Sequence, residues 1–233
     1  MNSSLLIENI STIYKRISHA AMRAGRNPED VKLIAVTKTV GIGTIKEAID
    51  AGLRIFGENR VQEAQKKVTS NELRVTNGKI EWHLIGPLQR NKAKYAVRLF
   101  NLIHTIDSIR LAEEVSKQAE KMGRIQRVLV QVKLSEEGTK HGVAEKELMP
   151  LIKTIEGLKG LALEGLMTMP PFFEDPEKAR PCFRRLRELR DEAEKMGVKL
   201  PELSMGMSND FEVAIEEGAT MVRIGTALFG ERR

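Results

Sequence analysis

Three stretches of this chain carry side chains that could do chemistry together. Lys38 closes the β-rich run Val31-Lys32-Leu33-Ile34-Ala35-Val36-Thr37. A lysine at the inner end of a buried strand carries a desolvation cost unless it is paired or used. A desolvated amine gives up its proton more readily, and a neutral amine can form a Schiff base. Position alone leaves the alternative of a lysine that reaches past the strand end to solvent. The second stretch is Ser204-Met205-Gly206-Met207-Ser208-Asn209-Asp210, and the third is Arg223-Ile224-Gly225-Thr226. Glycines let backbone N–H groups approach an anion, and the hydroxyls of Ser204, Ser208 and Thr226 can donate to it. A helix starting near Thr226 would point its first N–H groups the same way. Ser208-Asn209-Asp210 also reads as the cap of a helix, which is compatible with holding a phosphate.

A reactive lysine beside a phosphate cradle points to an aldehyde cofactor with a phosphate arm, such as pyridoxal 5′-phosphate (PLP). Arg223 refines that expectation. Proteins that use PLP place an acid or an arginine at the pyridine nitrogen. An arginine stays charged and cannot take up a proton from the ring. It would hold the nitrogen unprotonated and make the ring a weaker electron sink.

These residues need elements to position them, and the pattern supplies a strand–helix alternation. Leu6, Ile10, Ile13 and Ile17 recur at helical spacing in an opening helix over 5–24, ended by Gly25 and Asn27-Pro28. Strands are expected at 31–37, 53–57, 80–85, 102–106, 127–132, 161–167, 202–205 and 220–224, each followed by a helix. They are short and apolar on both faces, as in a parallel sheet covered by helices. About eight such units in 233 residues predict a single (β/α)8 TIM-type barrel over 1–233, preceded by an N-terminal helix. The competing open sheet would want G-x-G-x-x-G after an early strand. Gly41-Ile42-Gly43 begins that pattern, but Lys46 stands where the third glycine belongs. In a barrel the site lies at the C-terminal strand ends. That rule selects Lys38, Glu58, Asn59, His83, Lys133, Lys140, Thr168, Ser204, Arg223 and Gly225.

Other function classes fit poorly. The net charge of +6 comes from basic residues interleaved with acids, as in 184–192, which marks a solvated face. Aromatics are only 4%, too few for single-strand stacking platforms, so no nucleic-acid partner is expected. No apolar run reaches the ~20 residues that cross a bilayer, and no signal peptide is apparent, so a cytoplasmic protein is expected. Cys182 is the one cysteine and reads as a non-structural thiol. His19, His83, His104 and His141 show no metal-ligand spacing, so no metal is expected.

Several longer blocks occur in order: Ala35-Val36-Thr37-Lys38, Phe56-Gly57-Glu58-Asn59-Arg60-Val61-Gln62-Glu63, the run from His83 to Lys92, Gly165-Leu166-Met167-Thr168-Met169, the run from Leu203 to Asp210, and Val222-Arg223-Ile224-Gly225-Thr226. Together they resemble the pyridoxal phosphate homeostasis (YggS-like) family over nearly the whole chain. The resemblance implies the barrel of the alanine racemase N-terminal domain, PLP fold type III, with PLP covalently bound to Lys38. It implies Ser204, Ser208, Gly225 and Thr226 around the phosphate and Arg223 at the ring nitrogen. It also implies Asn59 at the ring's polar edge, with Met205 and His83 close by. The block from His83 to Lys92 receives no chemical role.

The family is linked to vitamin B6 balance without an established turnover, so a carrier, reservoir or regulator of PLP is expected. PLP-dependent apo-enzymes are the expected partners. The rival is a PLP-dependent racemase or decarboxylase. Alanine racemase draws a catalytic tyrosine from a second domain of its partner subunit. Here the only tyrosines, Tyr14 and Tyr95, fall in helices away from the strand ends. A second base would have to be His83 or Lys140. The chain ends soon after the eighth strand, so a monomer with no catalytic residue is expected. A third class, a protein that signals PLP occupancy to a partner, would show binding that depends on loading.

Overall fold

Pairing between the fourth and fifth strands closes the sheet on itself. The computed structural model describes residues 3–70, 73, 80–135 and 141–230. Its strands are β1 (Lys32–Val36), β2 (Ile55–Glu58), β3 (Glu81–Leu84), β4 (Leu102–Ile106), β5 (Gln126–Lys133), β6 (Val143–Ala144), β7 (Leu161–Met167), β8 (Glu202–Met207) and β9 (Met221–Ile224). They run in the order β4-β3-β2-β1-β9-β8-β7-β5, and β4 pairs again with β5 through Leu102 opposite Arg127. The pairings are parallel. The result is the expected eight-stranded barrel. The short β6 stands outside it, pairing Val143 with Val132 beyond the barrel rim. Two residues carry no periodic signal, so the sequence did not announce this strand.

A helix follows every barrel strand: α2 (Ile42–Asp50), α3 (Val61–Val68), α4 (Ala93–Leu99), α5 (Ile109–Lys121), α6 (Glu145–Glu156), α7 (Arg180–Lys195), α8 (Phe211–Glu216) and α9 (Thr226–Phe229). The opening helix α1 (Ser3–Arg23) buries Leu6, Ile10, Ile13 and Ile17, the stripe its spacing predicts. It packs on α8 and α9 and fastens the end of the barrel to its start. Asn9 donates to the Leu228 carbonyl at 3.0 Å, and Arg16 pairs with Glu212 at 3.0 Å.

Successive side chains of a strand point to opposite faces, so each barrel strand builds two layers. The outer layer, between strands and helices, is one large apolar cluster that includes Leu33, Ala35, Phe56, Trp82, Leu84, Ile103, Val128, Leu166 and Leu203. The barrel interior is different. Its apolar part is small: Ile34, Leu102, Leu129, Met167 and Met221, with Ile55 against them. Many of the remaining interior positions are polar, among them His83, His104, Ser204 and Arg223, and they lead to the site.

The arginines of α7 do more than line a solvated face. Arg180, Arg184 and Arg187 converge on Glu217 just past α8, at 3.2, 2.9 and 3.0 Å. Burial pushes the Glu217 carboxyl up, but the hydrogen bonds from Arg184 and Arg180 outweigh it and hold the group below its usual range. Cys182 is half-buried on the same helix, and burial pushes its thiol up, which suits an unreactive cysteine.

Candidate functional site

A cavity of about 600 Å³ opens at the C-terminal strand ends. Lys38, Asn59, Ser208, Arg223, Gly225 and Thr226 all line it. Its walls include the apolar side chains of Val36, Ile85, Met169 and Met207, and the exposed Phe172 stands among its lining.

Lys38 sits on a tight turn in which the Val40 N–H donates to the Thr37 carbonyl at 2.9 Å. Thr39 takes φ 66°, a left-handed conformation unfavourable for a β-branched residue. Strain of this kind persists only where the surroundings hold it. Here the Thr39 N–H donates to Glu63 Oε1 at 2.5 Å. Lys67 Nζ reaches Glu63 Oε1 at 2.8 Å, Glu58 Oε1 at 2.7 Å and the Thr37 carbonyl at 2.6 Å. Thr37 Oγ1 donates to Glu58 Oε1 at 2.6 Å. Both residues flanking Lys38 are thus clamped to α3 and β2. Burial pushes the Glu58 carboxyl up, opposed by its bonds from Lys67 and Thr37. Glu58, selected by its strand end, therefore serves the turn and not the cavity. Lys67 gives no signal in the sequence, because it lies in a charged helix that reads as surface.

Beside Lys38, on the two strands next to β1, the loops after β9 and β8 meet. The Gly225 and Ala227 N–H groups both point at Ser208 Oγ, each at 3.4 Å. Bonds near the limit of hydrogen-bond length are weak, so these donors are available to a better acceptor. Helix α9 has only four residues, so the converging N–H groups matter here more than a macrodipole. Asp210 holds the loop by accepting from the Met207 N–H at 2.6 Å.

Arg223 lies in the cavity floor and is almost fully buried. One Nη donates to Ser204 Oγ at 2.7 Å and the other to the Thr168 carbonyl at 2.9 Å. Burial pulls its pKa down to about 10, and Asp210 opposes that shift, so the group remains a cation at neutral pH. A guanidinium carries five N–H donors, and the two protein acceptors leave others for the cavity.

Three expected site residues stand elsewhere. Strand β8 runs on to Met207, past the predicted end at Met205. Ser204 is therefore mid-strand and fully buried beneath Arg223, outside the cavity lining. Met205 belongs to the outer apolar layer. Gly206 follows at φ 91°, where a Cβ would lie 2.6 Å from the Ala214 Cβ. This break in the strand alternation, with an irregular β8–β9 register, brings Met207 to the cavity instead. His83 is buried in the barrel interior, bonded to His104 at 3.1 Å and to Glu81 at 3.3 Å. The turn at Gly86 passes over Asn59 so closely that a Cβ would lie 2.3 Å from the Asn59 carbonyl oxygen. Part of the unexplained block from His83 to Lys92 thus shapes the rim beside Asn59. Lys140, weighed as a second base, lies outside the described residues. Tyr14 and Tyr95 are half-exposed on α1 and α4 and do not line the cavity. Among the described residues no cluster of metal-ligating side chains occurs, and no helix is long and apolar enough to cross a membrane.

A parallel barrel with a lysine after its first strand and converging N–H groups after its last two places the chain in the class of the alanine racemase N-terminal domain. The model of that family matches residues 9–233. An alanine racemase from Clostridium difficile 630 superposes with a TM-score of 0.75 at 17% identity, covering 98% of this chain and 57% of that one, a likeness of fold. The chain belongs to the pyridoxal phosphate homeostasis protein family. Relatives of that name are 48% identical in Aquifex aeolicus, over 97% of this chain and 98% of theirs, and 42% identical in Escherichia coli K12, over 97% of each. The PLP-bound structure of PipY from Synechococcus elongatus matches with a TM-score of 0.84 at 36% identity, covering 97% of this chain and all of that one.

Proposed function

We propose that this chain binds PLP in the cavity, holds it covalently through Lys38, and serves the supply of that cofactor in the cytoplasm as a monomeric carrier or reservoir. One observation carries the reading: a lysine, a floor arginine with unused donors and a set of weakly bonded N–H groups face one cavity. When bound, the cofactor supplies an aldehyde carbon and an electron-withdrawing ring. Lys38 provides the amine for the Schiff base. The Gly225 and Ala227 N–H groups and the hydroxyls of Ser208 and Thr226 bind the phosphate. Asn59 meets the polar edge of the ring, and Val36, Ile85 and Met207 enclose its faces. Arg223 donates to the ring nitrogen and keeps it unprotonated, which suits retention of the cofactor better than proton abstraction from an amino acid. Ser204 acts through Arg223, and Met205 supports the loop from the outer layer. Relatives named for homeostasis, and tyrosines that stay outside the cavity, favour a carrier over a racemase or decarboxylase. PLP-dependent apo-enzymes are its natural recipients.

The test is borohydride reduction of PLP-treated protein followed by peptide mapping. A single pyridoxyl adduct on the Lys38 peptide is expected. Lys38→Ala should abolish it without loss of folding, and Ser208→Ala with Thr226→Ala should weaken retention. Adducts scattered over surface lysines would refute the site. Rapid deuterium uptake at Cα of an added amino acid would overturn the carrier reading in favour of an enzyme.

A further inference from the structure

The barrel interior holds a run of polar groups that cofactor contact does not explain. From the cavity floor it goes from Arg223 Nη1 to Ser204 Oγ, 2.7 Å, then to His104 Nδ1, 2.9 Å. It continues from His104 Nε2 to His83 Nδ1, 3.1 Å, and from His83 Nε2 to Glu81 Oε2, 3.3 Å. Ser204, His104 and His83 are all buried. Glu81 begins β3, so the run ends at the mouth opposite the cavity.

Elementary hydrogen-bond counting assigns every proton in it. A guanidinium can only donate, so Ser204 Oγ accepts from Arg223. Ser204 Oγ has a second lone pair, so the order is fixed from the far end: the Glu81 carboxylate can only accept, and His83 Nε2 carries the proton donated to it. In a neutral ring His83 Nδ1 then accepts from His104 Nε2–H, and the neutral His104 in turn accepts the hydroxyl proton of Ser204 at Nδ1. The carboxylate accepts at the end, with Arg127 Nη1 donating to the same oxygen at 3.0 Å. The charges suit this order. Burial holds both imidazoles below their ordinary pKa and so neutral. The hydrogen bond from His83, with Arg127 beside it, holds the Glu81 carboxyl down to about 2 against burial, so it is ionised. The opposite order would set two lone pairs, on His83 Nε2 and Glu81, against each other.

We propose that His104 and His83 are positioning residues for Arg223: with Ser204 they form a one-way chain of donors, from the cavity floor to Glu81, that fixes the guanidinium in the cavity. The role deepens the proposed function, because a fixed Arg223 matters only if a ring nitrogen meets it. A guanidinium held by a fully satisfied chain cannot swing away, so the ring nitrogen always faces a donor and stays unprotonated. The other charged groups around the chain are Lys32 with its partner Glu202, Arg127 with its partner Glu164, and Asp210 near Arg223.

Two measurements test this. The first needs no cofactor: long-range 1H–15N correlation of the histidine rings in the cofactor-free wild-type protein. Both His83 and His104 should appear as neutral Nε2–H tautomers at neutral pH. An Nδ1–H tautomer or a cationic ring at either position would overturn the chain. The second compares His104→Phe with His104→Gln, and adds Glu81→Leu at the far mouth. In His104→Phe, PLP should still reach Lys38, but a ring-nitrogen protonation step should enter the pH profile of the cofactor absorbance. PLP affinity should fall about tenfold. His104→Gln, which retains a donor, should recover part of both, and Glu81→Leu should move the pH profile in the same direction. Unchanged profiles and affinity in folded His104→Phe would refute the positioning role. Wild-type tautomers as described, with no adduct on Lys38, would instead refute the cofactor reading and leave Arg223 with nothing to be positioned for.

Discussion

The outer layer and the interior of this barrel are built by the same strands, one residue apart, and they follow opposite rules. The outer layer joins strands to helices through apolar side chains such as Phe56, Trp82 and Leu203. The interior combines a small apolar patch with a chain of polar groups from Glu81 to Arg223. One layer is held by area removed from water and tolerates exchange of similar shapes. The other is held by complete hydrogen bonding, where one missing partner strands the rest. Apolar packing and the buried polar chain thus lie on opposite faces of one sheet.

That division can be broken from either side. Phe56→Ala should have the largest effect, a loss of about 3–5 kcal/mol in urea unfolding, because it removes a fully buried ring packed 5.5 Å from Trp82. The fraction that remains folded should load PLP normally; loss of loading would join the layers. His104→Phe should cost less, about 1–3 kcal/mol, through the partners it leaves unsatisfied. It should also change pH dependence. His83 and His104 stay neutral in the folded chain below the ordinary value of 6.5, while the unfolded chain binds protons there. Wild-type stability therefore falls as pH drops through about 6.5, and the variant should show a shallower fall.

Glu81→Gln acts lower on the pH scale. The Glu81 carboxyl is held below 4.5, at about 2, so its contribution is complete above 4.5 and disappears as pH falls toward 2. Acid unfolding of the variant should be less steep across that interval. The smallest effect belongs outside both layers. Arg185→Ala removes pairs to Glu145, Glu188 and Glu192 at the surface and should change stability by less than about 0.5 kcal/mol.

The outer layer was legible in the sequence because apolar periodicity reports burial directly. Strand and helix order followed, and with it the strand-end rule that selects Lys38, Asn59, Arg223 and Gly225. The interior was not legible in the same way. His104 lies inside the apolar run 102–106 and its partners come from other strands, so no local pattern announces it. Ser204 and Met205 were expected at the cavity because β8 was read as ending too early. The left-handed Gly206 then shifts the facing residue to Met207, and alternation alone cannot foresee such a break. Lys67 is invisible for a further reason: only the fold shows that a charged helix turns one lysine inward.

The strained turn at Thr39 has a consequence for traffic through the site. Its shape is fixed by Glu63 and Lys67, groups that do not depend on what the lysine amine carries. The backbone around Lys38 is therefore set in advance, and under the proposed function it need not rearrange on loading or release. Preorganisation of this kind removes an ordering cost from capture. On the proposed reading, the same rigidity leaves no conformational barrier to delay release, and the dwell time of the cofactor would be set by the chemistry of one carbon–nitrogen bond and the hold on its phosphate.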